Sequence, residues 1–254
     1  MNILINILAA LFCTVIGYLF GSIPTAIWLG KSLFNQDPRD YGSHNAGGTN
    51  AGRIWGKKIG LLVIVLDMIK AAISLWICWV LFTLVPFVDG QALSPTIDLV
   101  NNFGINTAFI IPWPVYWFAT IGCMVGHCWP LFAQFKGGKG VSVFAGTVLL
   151  ASWMLAILPC MIYFLILKLT KYVSLASIIT PIITTLISWV WAILVMTKVI
   201  PPSLYFLPTY GWTLILSWVF STILTIESVF VLFRHSENIK RLKNGTERKI
   251  SWMK

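Results

Sequence analysis

Along the chain, long apolar runs alternate with short polar loops: Ile3–Leu29, Ile59–Val85, Trp113–Phe135, Val141–Leu167, Tyr172–Val199 and Leu214–Phe233. Each is about as long as, or longer than, the roughly 20 helical residues needed to cross a bilayer core. None shows the alternation of a transmembrane barrel strand, so the runs predict helices, which satisfy their own backbone in lipid. Met1-Asn2 supplies no basic leader region and no small-residue cleavage site follows the first run, so Ile3–Leu29 reads as a retained span. Composition agrees. With 58% hydrophobic and 10% charged residues and a mean hydropathy of +0.85, the chain cannot cover a water-soluble surface. The expected fold is an all-α polytopic integral membrane protein, forming a single membrane-embedded domain over residues 1–254.

The net charge of +10 is unevenly spread, and its distribution orients the chain. Lys31, Arg39, Arg53, Lys57 and Lys58 occupy one loop, Lys136 and Lys139 another, Lys168 and Lys171 a third, and seven basic residues the tail from Arg234 to Lys254. The loop Pro86–Pro112 carries Asp89 and Asp98 but no Lys or Arg, and the turn near Pro201 has only Lys198. The positive-inside rule then puts the N-terminus outside and the C-terminus in the cytoplasm. With the loops at Lys136–Lys139 and Lys168–Lys171 both cytoplasmic, the run Val141–Leu167 must cross and return, with a bend near Ser152–Pro159. The count becomes about seven transmembrane helices; a single span there would give six and strand basic residues outside.

The five cysteines, Cys13, Cys78, Cys123, Cys128 and Cys160, lie in or beside apolar spans without paired spacing, which points to reduced packing residues and to neither a metal site nor a disulfide framework. The many tryptophans fit interface belts better than ligand boxes. Three charged residues fall inside spans. Asp67 and Lys70, three apart on one helix, are expected to pair, with a site-supporting role for Asp67 as the weaker alternative; Glu227 has no evident role.

Phe135-Lys136-Gly137-Gly138-Lys139-Gly140 interrupts this apolar chain and reads as an anion cradle: glycines expose backbone N–H groups, a following helix adds its positive end, and lysines supply charge. Taken alone it could equally be a basic turn at a helix end. Two further polar stretches accompany it, Gly42-Ser43-His44-Asn45-Ala46-Gly47-Gly48-Thr49-Asn50 and Arg234-His235-Ser236-Glu237-Asn238. Each has a plain alternative as a helix cap or solvated loop, but hydroxyls, amides, glycine backbone, Arg53, Lys139 and His235 together form a phosphate-binding set. Known nucleotide motifs do not fit. Gly140 stands where a Walker A loop needs Ser or Thr, and no Rossmann glycine pattern follows a strand. The His-x4-Asp motif of thioester-dependent acyltransferases is missing, since no histidine has Asp five residues later.

The ordered set of motifs resembles the bacterial membrane-integral acyl-phosphate:glycerol-3-phosphate acyltransferases, nearly end to end. It comprises Gly17 to Thr25, Gly42 to Asn50 with Arg53, Leu66 to Lys70, Gly126 to Phe132 leading into Phe135–Val141, Tyr172 to Ile178, and Arg234 to Leu242 with Gly245-Thr246-Glu247. The resemblance implies a seven-helix protein with an external N-terminus that transfers a fatty acyl group from acyl phosphate to the 1-hydroxyl of glycerol 3-phosphate, giving lysophosphatidic acid. It implies a substrate site lined by Ser43, Asn45, Thr49, Arg53, Lys139, Ser177, His235 and Asn238. Three positions depart from the pattern: His44 replaces Gly, Gly48 replaces Ala, and Val143 replaces a Thr whose hydroxyl Ser142 offers one residue earlier.

For that substrate pair no covalent intermediate is needed, because acyl phosphate is a mixed anhydride with a good leaving group; the protein must align two phosphate-bearing molecules. The Ser43–Thr49 loop, with Gly47 and Asn50, and the backbone of Gly137, Gly138 and Gly140 are expected around acyl phosphate, with Arg53, Lys139, Asn238 and His235 on glycerol 3-phosphate and Ser177 lining the site. Either His235 or the acyl-phosphate oxygens take the hydroxyl proton. Neither cofactor, metal nor nucleic acid is implied. The expected partners are membrane lipids, which deliver the acyl chain laterally, and the enzyme that makes acyl phosphate. Two other classes share the features. An organic-phosphate transporter should show internal repeats and midplane polar groups, and a scaffold for anionic lipid gives no reason for Asn45, Thr49, Asn50 and Asn238.

Overall fold

The structure, a computed structural model, describes residues 3–83, 86–88, 91–92, 96–97, 113–151, 153–197, 199 and 218–250. Asp89, Asp98, Ser152, Lys198, Pro201 and residues 214–217 of the last expected span lie outside the described residues. In chain order the helices are α1 Ile3–Gly21, α2 Thr25–Phe34, α3 Gly48–Trp55, α4 Lys57–Thr83, α5 Phe118–Cys128, α6 Val141–Ala151, α7 Trp153–Thr170, α8 Val173–Met196, α9 Trp218–Arg234 and α10 Ser236–Lys243. Two short antiparallel pairs modify the all-α expectation: β1 Pro86–Val88 with β2 Gln91–Ala92, and β3 Thr96–Ile97 with β4 Trp113–Pro114. Among the described residues four stretches are long and apolar enough to cross a membrane, Leu4–Phe34, Lys57–Phe82, Val115–Ala133 and Val173–Leu194, and two shorter apolar helices cover Val141–Ala151 and Ala156–Thr170. The chain divides into two compact units, Met1–Gly138 and Lys139–Lys254.

In the first unit the expected span Ile3–Leu29 is broken at residues 22–24, because Pro24 has no N–H to continue the ladder; α2 restarts at Thr25 and ends where Asn35 turns left-handed (φ 52°). Helix α1 packs along α5 through glycines: a methyl at Gly17 would overlap the Ala119 carbonyl, and one at Gly126 the Tyr18 carbonyl. Gly17-x3-Gly21 thus faces Gly122-x3-Gly126, a close crossing that apolar attraction alone does not create in lipid. Ala9, Ala10, Cys13, Cys78, Phe82, Val115 and Ala119 form the core beside it.

In the second unit the expected run Val141–Leu167 is covered by two helices, α6 up to Ala151 and α7 from Trp153. Helices α8 and α9 are tied by Thr185 Oγ1 to Ser228 Oγ (2.8 Å) and Trp189 Nε1 to Thr225 Oγ1 (2.9 Å). Glu227, fully buried, accepts from Thr147 Oγ1 of α6 at 2.9 Å. These contacts are the polar adhesive of helices whose apolar faces gain little by associating in lipid. After α10 the chain returns to the α7–α8 turn, where Ile250 N–H donates to Lys171 O (2.9 Å) and the Ile250 side chain packs with Leu167, Val173 and Ala176.

Candidate active site

The first unit contributes the loop before α3, and Asn50 organises it. Its side chain is 1% exposed; Oδ1 accepts from Ser43 N (2.7 Å), while Nδ2 reaches the carbonyls of Pro38 (2.7 Å), Tyr41 (3.1 Å) and Asn45 (3.1 Å). Both ends of the amide are consumed within the loop, so Asn50 acts as its keystone where a substrate contact was expected. Gly42 sits at φ 64°, and a side chain there would also strike Asn50 Oδ1. The start of the loop is fixed by Arg39, which is paired with Asp37 (2.7 Å) and donates to Ala133 O (3.0 Å). Its hydrogen bonds hold the Asp37 carboxyl below the usual range, and that carboxylate in turn raises Arg39.

Gly47 caps α3, whose carbonyl takes the N–H groups of Asn50 and Ala51. The N–H groups of Gly48 and Thr49 have no acceptor inside the helix and point out of its positive end, a cradle for a phosphate. Ser43 and Asn45 are half-buried in this loop, Thr49 is exposed on the first turn, and Arg53 is exposed near the end of α3.

Gly137 and Gly138 are buried against His127. Gly138 N–H donates to His127 O (2.9 Å), and a methyl on Gly138 would overlap His127 Nε2. The Gly138 N–H therefore does not serve a phosphate, a correction to its expected role; the close approach of a histidine is what demands glycine. Beneath lies a buried charged network that single-chain spacing could not reveal. Lys70 Nζ reaches Asp67 Oδ1 (2.9 Å), Ile23 O (3.1 Å) and His127 Nδ1 (3.0 Å), and Thr25 Oγ1 donates to Asp67 Oδ1 (2.6 Å).

The second unit holds Lys139, His235 and Asn238. Lys139 Nζ donates to Asn238 Oδ1, Asn238 Nδ2 donates to Glu247 Oε1 (2.8 Å), and Arg241 Nε donates to Glu247 Oε2 (2.7 Å). Burial would raise the Glu247 carboxyl, but the bonds from Arg241 and Asn238 hold it below its usual range. His235 is 2% exposed and donates Nδ1–H to Val231 O (2.8 Å), which leaves Nε2 as an acceptor. Burial, followed by the Lys139 charge, pushes its pKa down to about 4, so the ring is neutral near pH 7. Gly140 turns at φ 85° and its carbonyl accepts Phe144 N–H to start α6, while Ser177 is buried on the first turns of α8. The tail motif of the resemblance includes Arg241 and Glu247 without a role for either; in the structure they hold the donor end of Asn238 in place.

This chemistry is shared by known proteins. The protein family described as glycerol-3-phosphate acyltransferase matches residues 11–245. The chain belongs to that family. The glycerol-3-phosphate acyltransferase of Enterococcus faecalis is 33% identical over 239 residues (94% of this chain, 90% of the relative), and that of Bacillus subtilis is 31% identical over 239 residues (94% and 96%). Crystal structures of PlsY, an integral membrane glycerol 3-phosphate acyltransferase, align with TM-scores of 0.67 for the glycerol 3-phosphate form (30% identity, 95% of this chain, 96% of that one) and 0.65 for the lysophosphatidic acid form (28% identity, 95% and 95%).

Within this acyltransferase the three departures find local reasons. His44 holds the left-handed turn (φ 54°) that the family's Gly would occupy, and its Nδ1 lies 2.9 Å from Arg39 O. At Gly48 an added methyl would come too close to Gly60 O and Ile64, so the family's Ala does not fit this α3–α4 crossing. Val143 is fully buried in the core, and Ser142 beside it is half-buried.

Proposed function

We propose that the chain transfers a fatty acyl group from acyl phosphate to the 1-hydroxyl of glycerol 3-phosphate, releasing lysophosphatidic acid and inorganic phosphate. The observation that carries this reading is the pairing of Lys139, whose acceptor Asn238 is a neutral amide, with a neutral His235 whose Nε2 accepts. A cation beside an uncharged acceptor suits a small molecule with a phosphate at one end and a hydroxyl at the other. Crystal structures of PlsY in glycerol 3-phosphate and lysophosphatidic acid forms support the same substrate and product.

In this scheme the start of α3, with Ser43, Asn45, Gly47 and Thr49, receives the phosphate of the acyl donor, and Arg53 and Lys139 offset the charge of the two substrates. The hydroxyl oxygen attacks the acyl carbonyl carbon, the carbon–oxygen bond to phosphate breaks, and the released phosphate takes the proton. A histidine held near pKa 4 is a weak base, so His235 aims the hydroxyl while the acyl-phosphate oxygens accept its proton. We further infer about seven spans with the N-terminus outside, since the two helices α6 and α7 supply the extra crossing that the basic loops require, and an active site facing the cytoplasm. Membrane lipids and the enzyme that makes acyl phosphate are the proposed partners.

The test uses radiolabelled glycerol 3-phosphate and acyl phosphate with sealed vesicles of both orientations. Label should enter lysophosphatidic acid in inverted vesicles and not in right-side-out ones. Unmodified label accumulating in the lumen would favour the transport reading, and equal turnover with acyl-CoA would overturn the donor assignment.

A further inference from the structure

The buried Asp67–Lys70–His127 network has no part in the chemistry above, yet it costs the protein two charges in an apolar interior. Asp67, Lys70 and His127 are 0%, 5% and 5% exposed. An ammonium has three protons and accepts none, and those of Lys70 are directed at Asp67 Oδ1, Ile23 O and His127 Nδ1. His127 Nδ1 also lies 3.6 Å from Asp67 Oδ1, so the ion pair holds that edge of the ring, while the Nε2 edge lies against Gly138 and the His127 carbonyl accepts Gly138 N–H. A cavity of about 10 Å³, room for about one water, is lined by Thr25, Asp67, Lys70 and His127 below and by Ala46, Gly137 and Gly138 above. Ala46 belongs to the Gly42–Asn50 loop and packs with Ile27 and Ala133. Both glycine-rich loops of this unit rest on the same ionic floor.

We propose that Asp67, Lys70 and His127 are positioning residues: the ion pair sets the His127 ring, and His127 with the cavity wall fixes the heights of the Gly42–Asn50 loop and of the Gly137–Gly138 turn that precedes Lys139. This rests on the reading that these loops receive acyl phosphate. The alternative is an ion pair that serves folding alone.

The experiment compares wild type, Lys70→Met and the charge-neutral double variant Asp67→Asn/Lys70→Met in native membranes at matched protein level, where marginal stability does not prevent kinetics. KM for acyl phosphate and for glycerol 3-phosphate is measured with kcat, beside thermal stability in detergent. Lys70→Met removes the cation beside the buried Asp67 carboxylate and should lower stability. The double variant removes that penalty, and its melting temperature should return towards wild type. Its KM for acyl phosphate should nevertheless stay raised by about tenfold or more, because the ring that sets the turn is no longer held, while KM for glycerol 3-phosphate changes less than about twofold. Recovery of both stability and acyl-phosphate KM in the double variant would reduce the network to a folding element and overturn the proposal. Equal rises in both KM values would overturn it as well. Absence of acyl-phosphate turnover in wild type would instead sink the underlying reading.

Discussion

Replacing Asn50 separates a loop keystone from a substrate ligand. Asn50→Ala deletes the acceptor of Ser43 N–H and the donor shared by the carbonyls of Pro38, Tyr41 and Asn45. At about 1 kcal/mol for each of three neutral bonds, with a small addition for an abandoned N–H, the closed loop loses about 3–4 kcal/mol. Asn50→Asp keeps the shape and the Ser43 acceptor but turns a carboxylate towards three carbonyl oxygens, so it should cost at least as much as alanine despite being nearly isosteric. Because the loop is local, the change should appear as local opening more than as global unfolding. Trypsin reads that opening at Arg39, which in the closed loop is pinned by Asp37 and Ala133 O. Cleavage after Arg39, followed by mass spectrometry in detergent, should accelerate on the order of 100-fold in both variants, with KM for acyl phosphate rising in parallel. Lost activity with unchanged cleavage would mean that Asn50 meets the substrate directly, and the keystone argument would fail.

Lys139→Ala should abolish acyl transfer in folded protein, whereas Lys136→Ala, at an exposed turn, should cost much less: about 2–4 kcal/mol for a phosphate contact in the site against about 1 for a headgroup contact; equal losses at matched expression would refute the distinction. The depressed His235 makes an acid-stability prediction. Its folded pKa of about 4 lies below the ordinary 6.5, so the unfolded chain binds the extra proton first and stability falls as pH drops from 6.5 towards 4, by about 3 kcal/mol in full. His235→Gln should flatten that part of the profile in chemical denaturation, and an unchanged slope would show that His235 does not remain neutral in the folded state.

Features set by local periodicity and by charge were legible in the sequence. Apolar length alone gave no reason to divide the run Val141–Leu167, whereas the requirement that Lys136–Lys139 and Lys168–Lys171 share a side did, and the run is covered by the two helices α6 and α7. The Asp67–Lys70 pairing was also within reach, because the two residues are three apart on one helix. Its third member was not, since His127 comes from another helix, 57 residues away from Lys70. The facing glycines of α1 and α5 belonged to a recognisable small-x3-small pattern in each helix, but only their packing shows that the two patterns meet. The Gly137–Gly138 pair was misjudged for a related reason. A glycine that frees a backbone N–H for a ligand and one that makes room for a neighbouring ring look alike in a sequence, and Gly138 does the second.

Two buried asparagines, Asn50 and Asn238, share a logic that explains why this position in each cluster is an amide. Asn50 accepts from one N–H and donates to carbonyls; Asn238 accepts from Lys139 and donates to Glu247. A carboxylate in either place could accept but not donate, and at Asn238 it would add a second negative charge beside Glu247 while neutralising Lys139. A lysine could donate but not accept, and would crowd Lys139 with like charge. A neutral group with one donating and one accepting end bridges the cation to the carboxylate without adding a charge of its own. That requirement sets the order of the second unit's chain: ammonium, amide, carboxylate, guanidinium. The carboxylate of Glu247, held below its usual range, is kept one residue away from Lys139 and is answered by Arg241. The geometry thus spends its negative charge on holding the amide to which Lys139 donates.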